Sequence, residues 1–322
     1  MPYDLADKLV VGISSRALFD LDEAHRIFET EGLAAYREHQ TANEDEPLAA
    51  GTALPLVRGL LRINELADEA LVEVLIISRN NADTGLRVMN SVEHHGLEVP
   101  RWAFTDGTSA GPYLREFSCD LFLSANEEDV AGAMQHGVAA ARILRVPDEA
   151  TDEIPSEVRI AFDGDAVLFS AESEAIYRAG GLDAFLQHEE AHADQPLSPG
   201  PLQPFLRALS RIQQRFPEAD NPLRMSLVTA RNAPAHKRVI RTLRSWGIHL
   251  NETFYLGGLE KAGVLRVLRP HIFFDDQSAH LEPARSQTPA AQVPAEYRLD
   301  PSRTEQESTQ AVTRPLGDHP SP

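Results

Sequence analysis

GLAAYREHQTANEDEPLAAGTALPLVRGLLRI (residues 32–63) and GLDAFLQHEEAHADQPLSPGPLQPFLRALSRI (residues 181–212) are two versions of one stretch, separated by a constant offset of 149. About 14 of their 32 positions are identical without a gap, against about two expected from average composition. The identical pairs include Gly32/Gly181, His39/His188, Pro47/Pro196, Gly51/Gly200, Pro55/Pro204 and Arg62/Arg211. Shared helical composition does not account for matched prolines and glycines. The match continues with small shifts. LIISRN (75–80) answers LVTARN (227–232), RVMNSVEHHG (87–96) answers RVIRTLRSWG (238–247), and DLFLSAN (120–126) answers HIFFDDQ (271–277). Solenoid units run to roughly 20–50 residues, so a period this long marks a duplicated domain instead.

Each copy reads the same way. A short apolar strand (9–14 or 158–163) precedes a proline-punctuated helical insertion of about 50 residues. Then come a strand (74–78 or 226–230), an amphipathic helix, a third strand (102–105 or 253–256), a helix and a fourth strand (121–124 or 272–275). This alternation predicts an α/β fold with parallel sheets and right-handed crossovers. The copies are expected over residues 1–148 and 149–297, with the second insertion at about 171–222 and the boundary in the polar stretch 147–155. Residues 298–322 are rich in Pro, Ser, Thr and Gln and are predicted to be a disordered tail. The pattern leaves open whether the copies share one sheet.

Composition narrows the function. The net charge of -19 argues against nonspecific binding to nucleic acid or an anionic membrane, which both need a positive field. A local basic group or a metal can still admit a small anionic substrate. The one cysteine, Cys119, permits no internal disulfide and fits a reducing compartment; it reads as a small residue near a strand start. No apolar run approaches the ~20 residues of a membrane span. The first residues lack a basic leader segment, so a cytoplasmic protein is expected.

The chemistry is concentrated in the second copy. VRIAFDGDAVLFS (158–170) is a strand that ends in Asp163, Gly164 and Asp165. Parallel α/β sheets bind ligands at the carboxyl ends of their strands, so both carboxylates face the expected site. Gly164 is expected to let the backbone turn and a phosphate approach. Thr229 ends the second strand before a helix and is placed to bind a phosphoryl oxygen. Lys261 lies in the glycine-bearing loop 257–263, where its charge can neutralise phosphate. Asp275 and Asp276 end the fourth strand. Hard oxygen ligands gathered at one edge suit Mg²⁺, and the set reads as a magnesium-dependent phosphatase.

The order DxD, Thr, Lys, DD resembles the haloacid-dehalogenase-like phosphohydrolases. FDGDAVLFSAESE (162–174), the stretch 181–202, LVTARN (227–232), LRSWG (243–247) and RPHIFFDDQ (269–277) are more specific and resemble the cytosolic 5′-nucleotidase IA family. SSRALFD (14–20) and YLREFSCDLFLSA (113–125) resemble its N-terminal half, so the likeness covers residues 8–297. The resemblance implies duplicated haloacid-dehalogenase-like Rossmannoid domains, each with a helical insertion after its first strand. It implies hydrolysis of nucleoside 5′-monophosphates, AMP prominently. Asp163 would be the nucleophile that forms an aspartyl-phosphate. Asp165 would protonate the leaving oxygen and then activate water. Thr229 and Lys261 would hold the phosphoryl oxygens. Asp163, the Asp165 carbonyl, Asp275 and Asp276 would hold Mg²⁺. Gly164, Ala230, Arg231 and Asn232 are the expected substrate-binding neighbours.

The first copy lacks these groups. Ser14 and Arg16 answer Asp163 and Asp165, Ile77 answers Thr229, and Ser124 and Ala125 answer Asp275 and Asp276. A non-catalytic copy is expected, one that supports the fold, an oligomer or a nucleotide effector. Arg16, Arg79 and Asn80 are candidates for a vestigial anion site. HEEAH (188–192) matches the zinc-protease helix literally, but only His188 has a counterpart in the repeat and no third ligand follows. Phe169 and Phe185 could stack on a base, but core packing is the expectation for both, as it is for Trp246. Two rival functions stay open: a phosphatase of sugar or other small phosphates on the same scaffold, and a nucleotide-binding regulator with little turnover.

Overall fold

The computed structural model describes residues 3–144 and 156–294. The expected boundary stretch 147–155 and the tail 298–322 lie outside the described residues. The chain forms β1 (Leu9–Ile13), β2 (Val72–Ser78), β3 (Arg101–Phe104), β4 (Leu121–Ser124) and β5 (Ala140–Leu144), then β6 (Val158–Phe162), β7 (Leu223–Thr229), β8 (Glu252–Tyr255), β9 (Ile272–Asp275) and β10 (Ala290–Gln292). All ten strands join one sheet in the order β3-β2-β1-β4-β5-β10-β9-β6-β7-β8. Both halves therefore run in the same order outward from the centre. All pairs are parallel except the central one, where Ala290 faces Leu144 and Gln292 faces Arg142 in antiparallel register. The result is a mixed α/β fold with one mostly parallel sheet, not two separate sheets.

The antiparallel seam has a geometric consequence. Strands within each half point the same way, but the two halves point in opposite directions. The carboxyl ends of β1, β2 and β4 open at one edge of the sheet, and those of β6, β7 and β9 open at the other.

One face of the sheet is a single core that runs through both halves. Leu9, Val11 and Ile13 from β1 and Ile160 and Phe162 from β6 belong to it. So do the helices Leu54–Glu65 and Gln203–Gln213. Each has a proline in its first turn, where the missing N–H costs nothing. Their apolar residues recur at helical spacing: Leu56, Val57, Leu60 and Ile63 in one, Phe205, Leu206, Leu209 and Ile212 in the other, all buried. Each such side chain contributes roughly 1.5–3 kcal/mol by leaving water. The first of these helices also packs on β6 and the second on β1, so each half covers part of the other. The opposite face holds two separate cores, beneath Gly111–Glu116 and Glu127–Gln135 in one half and Lys261–Leu268 and Ser278–Ala284 in the other. Cys119 is buried in the first of them.

The repeated glycine at 51 and 200 has a steric cause. A Cβ on Gly200 would lie 2.4 Å from the Phe169 carbonyl oxygen and 2.6 Å from that of Val167. A Cβ on Gly51 would meet the backbone of Leu18 and Phe19 at 2.7 Å. Gly200→Ala is therefore expected to cost about 1–3 kcal/mol, because backbone must move to admit it. Urea unfolding checks this: the midpoint falls while the slope stays constant.

Candidate active site

Asp163 follows β6, and its N–H donates to the Phe274 carbonyl at 2.8 Å. Asp275 ends the neighbouring β9 and is fully buried. Lys261 lies between them, with Nζ 2.7 Å from Asp163 Oδ1 and 2.7 Å from Asp275 Oδ2. Lys261 is not in the loop that its glycine-bearing surroundings suggest. It is the first residue of the helix Lys261–Leu268, just after the left-handed Gly257 and Gly258. A cation at a helix N-terminus opposes the helix dipole, and the two carboxylates compensate it. Burial works against the Lys261 charge, but Asp163 and Asp275 outweigh it and push its pKa up.

The carboxylates outnumber that lysine. Burial pushes Asp163 up to about 6, against the pull of Lys261 and with a further push from Asp275. Burial opposes the Asp275 charge too, but a hydrogen bond from His280, with Nδ1 at 3.1 Å, and the charge of Lys261 hold its pKa down. Asp276 is pushed up to about 8 by burial and then by Asp163, Asp275 and Glu174. Its Oδ1 is buried with no hydrogen-bond partner. An orphaned carboxylate oxygen beside two more carboxylates is a donor set that fits a hard divalent cation. Asp163, Asp275 and His280 bring ligand atoms within 4.8 Å of one another and could hold a metal ion. His280, which the sequence reading missed, sits against Asp275 and orients it.

Thr229 ends β7 and is buried, and its Oγ1 accepts from the Arg231 N–H at 3.3 Å. Gly164 keeps open the space above that hydroxyl, since a Cβ there would lie 3.2 Å from Thr229 Oγ1. The sharp turn expected at Gly164 is made elsewhere: Ala166 is the left-handed residue, with φ 60°. Ala230 is exposed and Asn232 half-buried at the same strand end.

Asp165 and Arg231 form a bidentate pair. Nε lies 2.8 Å from Oδ2 and Nη2 lies 2.6 Å from Oδ1. Arg231 Nη1 also reaches Glu189 Oε2 at 2.5 Å. Glu189 is buried and further holds Ser173 Oγ at 2.7 Å and Arg238 Nη1 at 3.0 Å. Burial opposes the Arg231 charge, but Asp165 and Glu189 outweigh it and raise its pKa. The guanidinium expected to meet substrate is thus directed at carboxylates, and it positions Asp165. Glu189 is the second residue of the HEEAH stretch. Its neighbours His188 and His192 stack on each other at 4.1 Å, and the only metal-binding group found among the described residues lies elsewhere. Phe169 packs on Trp246 in the core as expected, and Phe185 lies 5.5 Å from the Arg231 guanidinium.

The 5′-nucleotidase family model matches residues 1–299 of this chain. The chain belongs to the 5′-nucleotidase family. Human cytosolic 5′-nucleotidase 1B is 39% identical over 290 residues, which are 86% of this chain and 47% of that protein. The chain thus spans about half the length of that relative. Histidinol dehydrogenase from Elizabethkingia anophelis covers 88% of this chain and 52% of its own at 12% identity, with a TM-score of 0.21, and carries no argument. The acidic cluster of this 5′-nucleotidase family member lies within the matched residues. No helix among the described residues is long and apolar enough to cross a membrane.

Proposed function

We propose that the chain is a Mg²⁺-dependent 5′-nucleotidase that hydrolyses nucleoside 5′-monophosphates, with AMP as the leading substrate, in the cytoplasm. In this reading residues 149–297 are a catalytic haloacid-dehalogenase-like copy and residues 1–148 a non-catalytic one. The observation that carries it is the buried lysine held between Asp163 and Asp275, with a third buried carboxylate, Asp276, next in the chain.

Asp163 attacks phosphorus, the bond from phosphorus to the 5′-oxygen breaks, and Asp165 supplies the proton to that oxygen. Asp165 then takes a proton from water as the water attacks the aspartyl-phosphate, which releases phosphate and restores Asp163. Thr229 and Lys261 bind the phosphoryl oxygens through both steps. Asp163, the Asp165 carbonyl, Asp275 and Asp276 would hold Mg²⁺, which would supply charge neutralisation at the phosphoryl group. Supplying that proton requires Asp165 to enter the cycle protonated, so at least one of its oxygens must first leave Arg231 and take up a proton from solvent.

A phosphate-release screen with Mg²⁺ tests this reading. Nucleoside 5′-monophosphates are expected to turn over and sugar phosphates to lag by at least tenfold, with both lost in EDTA. A preference for sugar phosphates would favour the rival phosphatase, and binding without release would favour the regulator.

A further inference from the structure

The first half has a cavity of about 360 Å³ at the carboxyl ends of β1, β2 and β4. Strand register shows that it occupies the place of the catalytic site in the other half. Ile13 pairs with Ile76 as Phe162 pairs with Leu227. Ser14 N–H donates to the Leu123 carbonyl as Asp163 N–H donates to that of Phe274. This register corrects one expected match: Ser78, not Ile77, answers Thr229. Asn80 N–H donates to Ser78 Oγ at 3.2 Å, as Arg231 N–H does to Thr229 Oγ1. Asn80 thus answers Arg231, Arg16 answers Asp165, Ser124 answers Asp275, and Ala110 answers Lys261.

These exchanges remove two buried carboxylates and put the hydroxyls of Ser14 and Ser124 in their place, while Ser78 keeps the hydroxyl of Thr229. The catalytic edge holds Asp163, Asp165, Asp275, Asp276 and Glu189 against Lys261 and Arg231. The first-half cavity holds Arg16, Arg37 and Arg79 against Asp106 and Asp129. Arg79 is committed to Asp129 at 2.7 Å and Arg37 to Asp106 at 3.1 Å. Arg16 has Asp22 at 3.9 Å, a longer ion pair than those of Arg79 and Arg37, with the charges of Glu29 and Asp20 also acting on it. A phosphate entering here meets the Arg16 guanidinium and the hydroxyls of Ser14 and Ser78, while the Ser124 hydroxyl donates to Asp129, whose charge Arg79 balances. The mouth is apolar: Phe28 and Leu33 are 46% and 49% exposed, and Phe28 packs edge-on against Tyr36 at 6.0 Å. Such a wall suits a flat ring, and the volume falls within the ~300–1,000 Å³ of small-molecule pockets.

We propose that the first half is a second ligand site, which binds a nucleoside monophosphate without metal and without hydrolysing it. Ser14 offers no carboxylate nucleophile, and Ala110 offers no ammonium. The seam places this site at the opposite edge of the sheet from Asp163.

Calorimetry on the full chain in EDTA, with AMP, inorganic phosphate and adenosine as probes, tests the proposal. One AMP per chain is expected. Its affinity should be unchanged in Lys261→Ala and weakened roughly tenfold or more in Arg16→Glu, the worth of a charge-assisted hydrogen bond. Arg16 is partly exposed, so this variant should fold, and thermal melting confirms it. Arg16→Gln should give a smaller loss in the same direction. Phe28→Ala should weaken AMP but not phosphate. The proposal fails if no AMP binds in EDTA, if adenosine binds as tightly as AMP, or if binding follows Lys261 and ignores Arg16. None of these outcomes depends on turnover, so a failure of the nucleotidase reading shows up separately in the phosphate-release screen.

Discussion

Asp163→Asn is expected to lower turnover of nucleoside monophosphates at least a thousandfold while leaving the fold intact. An amide oxygen is a poor nucleophile, so no aspartyl-phosphate forms and only positioning by Thr229 and Lys261 is left. The substitution is nearly isosteric, and the amide oxygen can face Lys261 Nζ, now 2.7 Å from Asp163 Oδ1. It also removes one of three crowded buried carboxylates, among which burial, and then the charge of Asp275, already pushes Asp163 up to about 6. The melting temperature should therefore hold or rise. The first half makes the same point, since the fold accepts Ser14 at the matching position. Steady-state kinetics beside a thermal melt separates the two effects. Turnover above about a tenth of the wild type would rule Asp163 out as nucleophile.

Glu189→Leu is expected to cost about 3–5 kcal/mol of stability, the usual penalty for leaving buried charges without their partner. Glu189 is 0% exposed at its side chain and bridges Arg231 and Arg238, which are 2% and 4% exposed. Without it Arg231 keeps Asp165, and Arg238 keeps the Gln195 carbonyl at 2.9 Å. Two guanidinium groups then share too few acceptors in a site closed to water. Glu189→Gln should be far milder. The matching residue in the first half is Gln40, which is buried and accepts from Arg87 at 3.0 Å as Glu189 accepts from Arg238. In that variant Arg231 is held less firmly and so is Asp165. A fall of roughly tenfold in kcat with KM nearly constant is expected, because positioning of the acid acts in the transition state and not in ground-state binding. Urea unfolding reads the first effect and initial rates the second. Equal stability losses for Leu and Gln would show that the charge of Glu189 is not what the arginines need.

Local sequence chemistry made the main strands readable. Apolar runs of four to seven residues, spaced by helical insertions, show where β1–β4 and β6–β9 lie. They also carry Asp163, Thr229 and Asp275 to strand ends. β5 and β10 were not legible. Their segments, AARIL and AAQ, are short and rich in alanine, which has little strand preference of its own. They become strands because each lies between two others. Those two strands decide that the halves share one sheet.

Pairings across long sequence distances were hidden for a similar reason. Arg231 meets Glu189 and Asp165 only because the insertion folds back over the strand ends. Nothing in LVTARN distinguishes an arginine that binds phosphate from one that grips a carboxylate. The repeat held a usable clue, since Glu189 stands opposite Gln40 and Asp165 opposite Arg16, and charge changes in matched positions mark where the copies differ in chemistry. The one-residue slip that pairs Ser78 with Thr229 could be found only from strand register.

By itself, then, the sequence determined that this chain carries two versions of one α/β unit and that only the second has the acids, because composition and spacing are local properties. The tertiary structure alone decided that the halves join through an antiparallel seam, that their sites open at opposite edges, and that Arg231 holds Asp165. Those depend on which distant backbones pair and which buried charges find partners, and no window of sequence contains both members of such a pair.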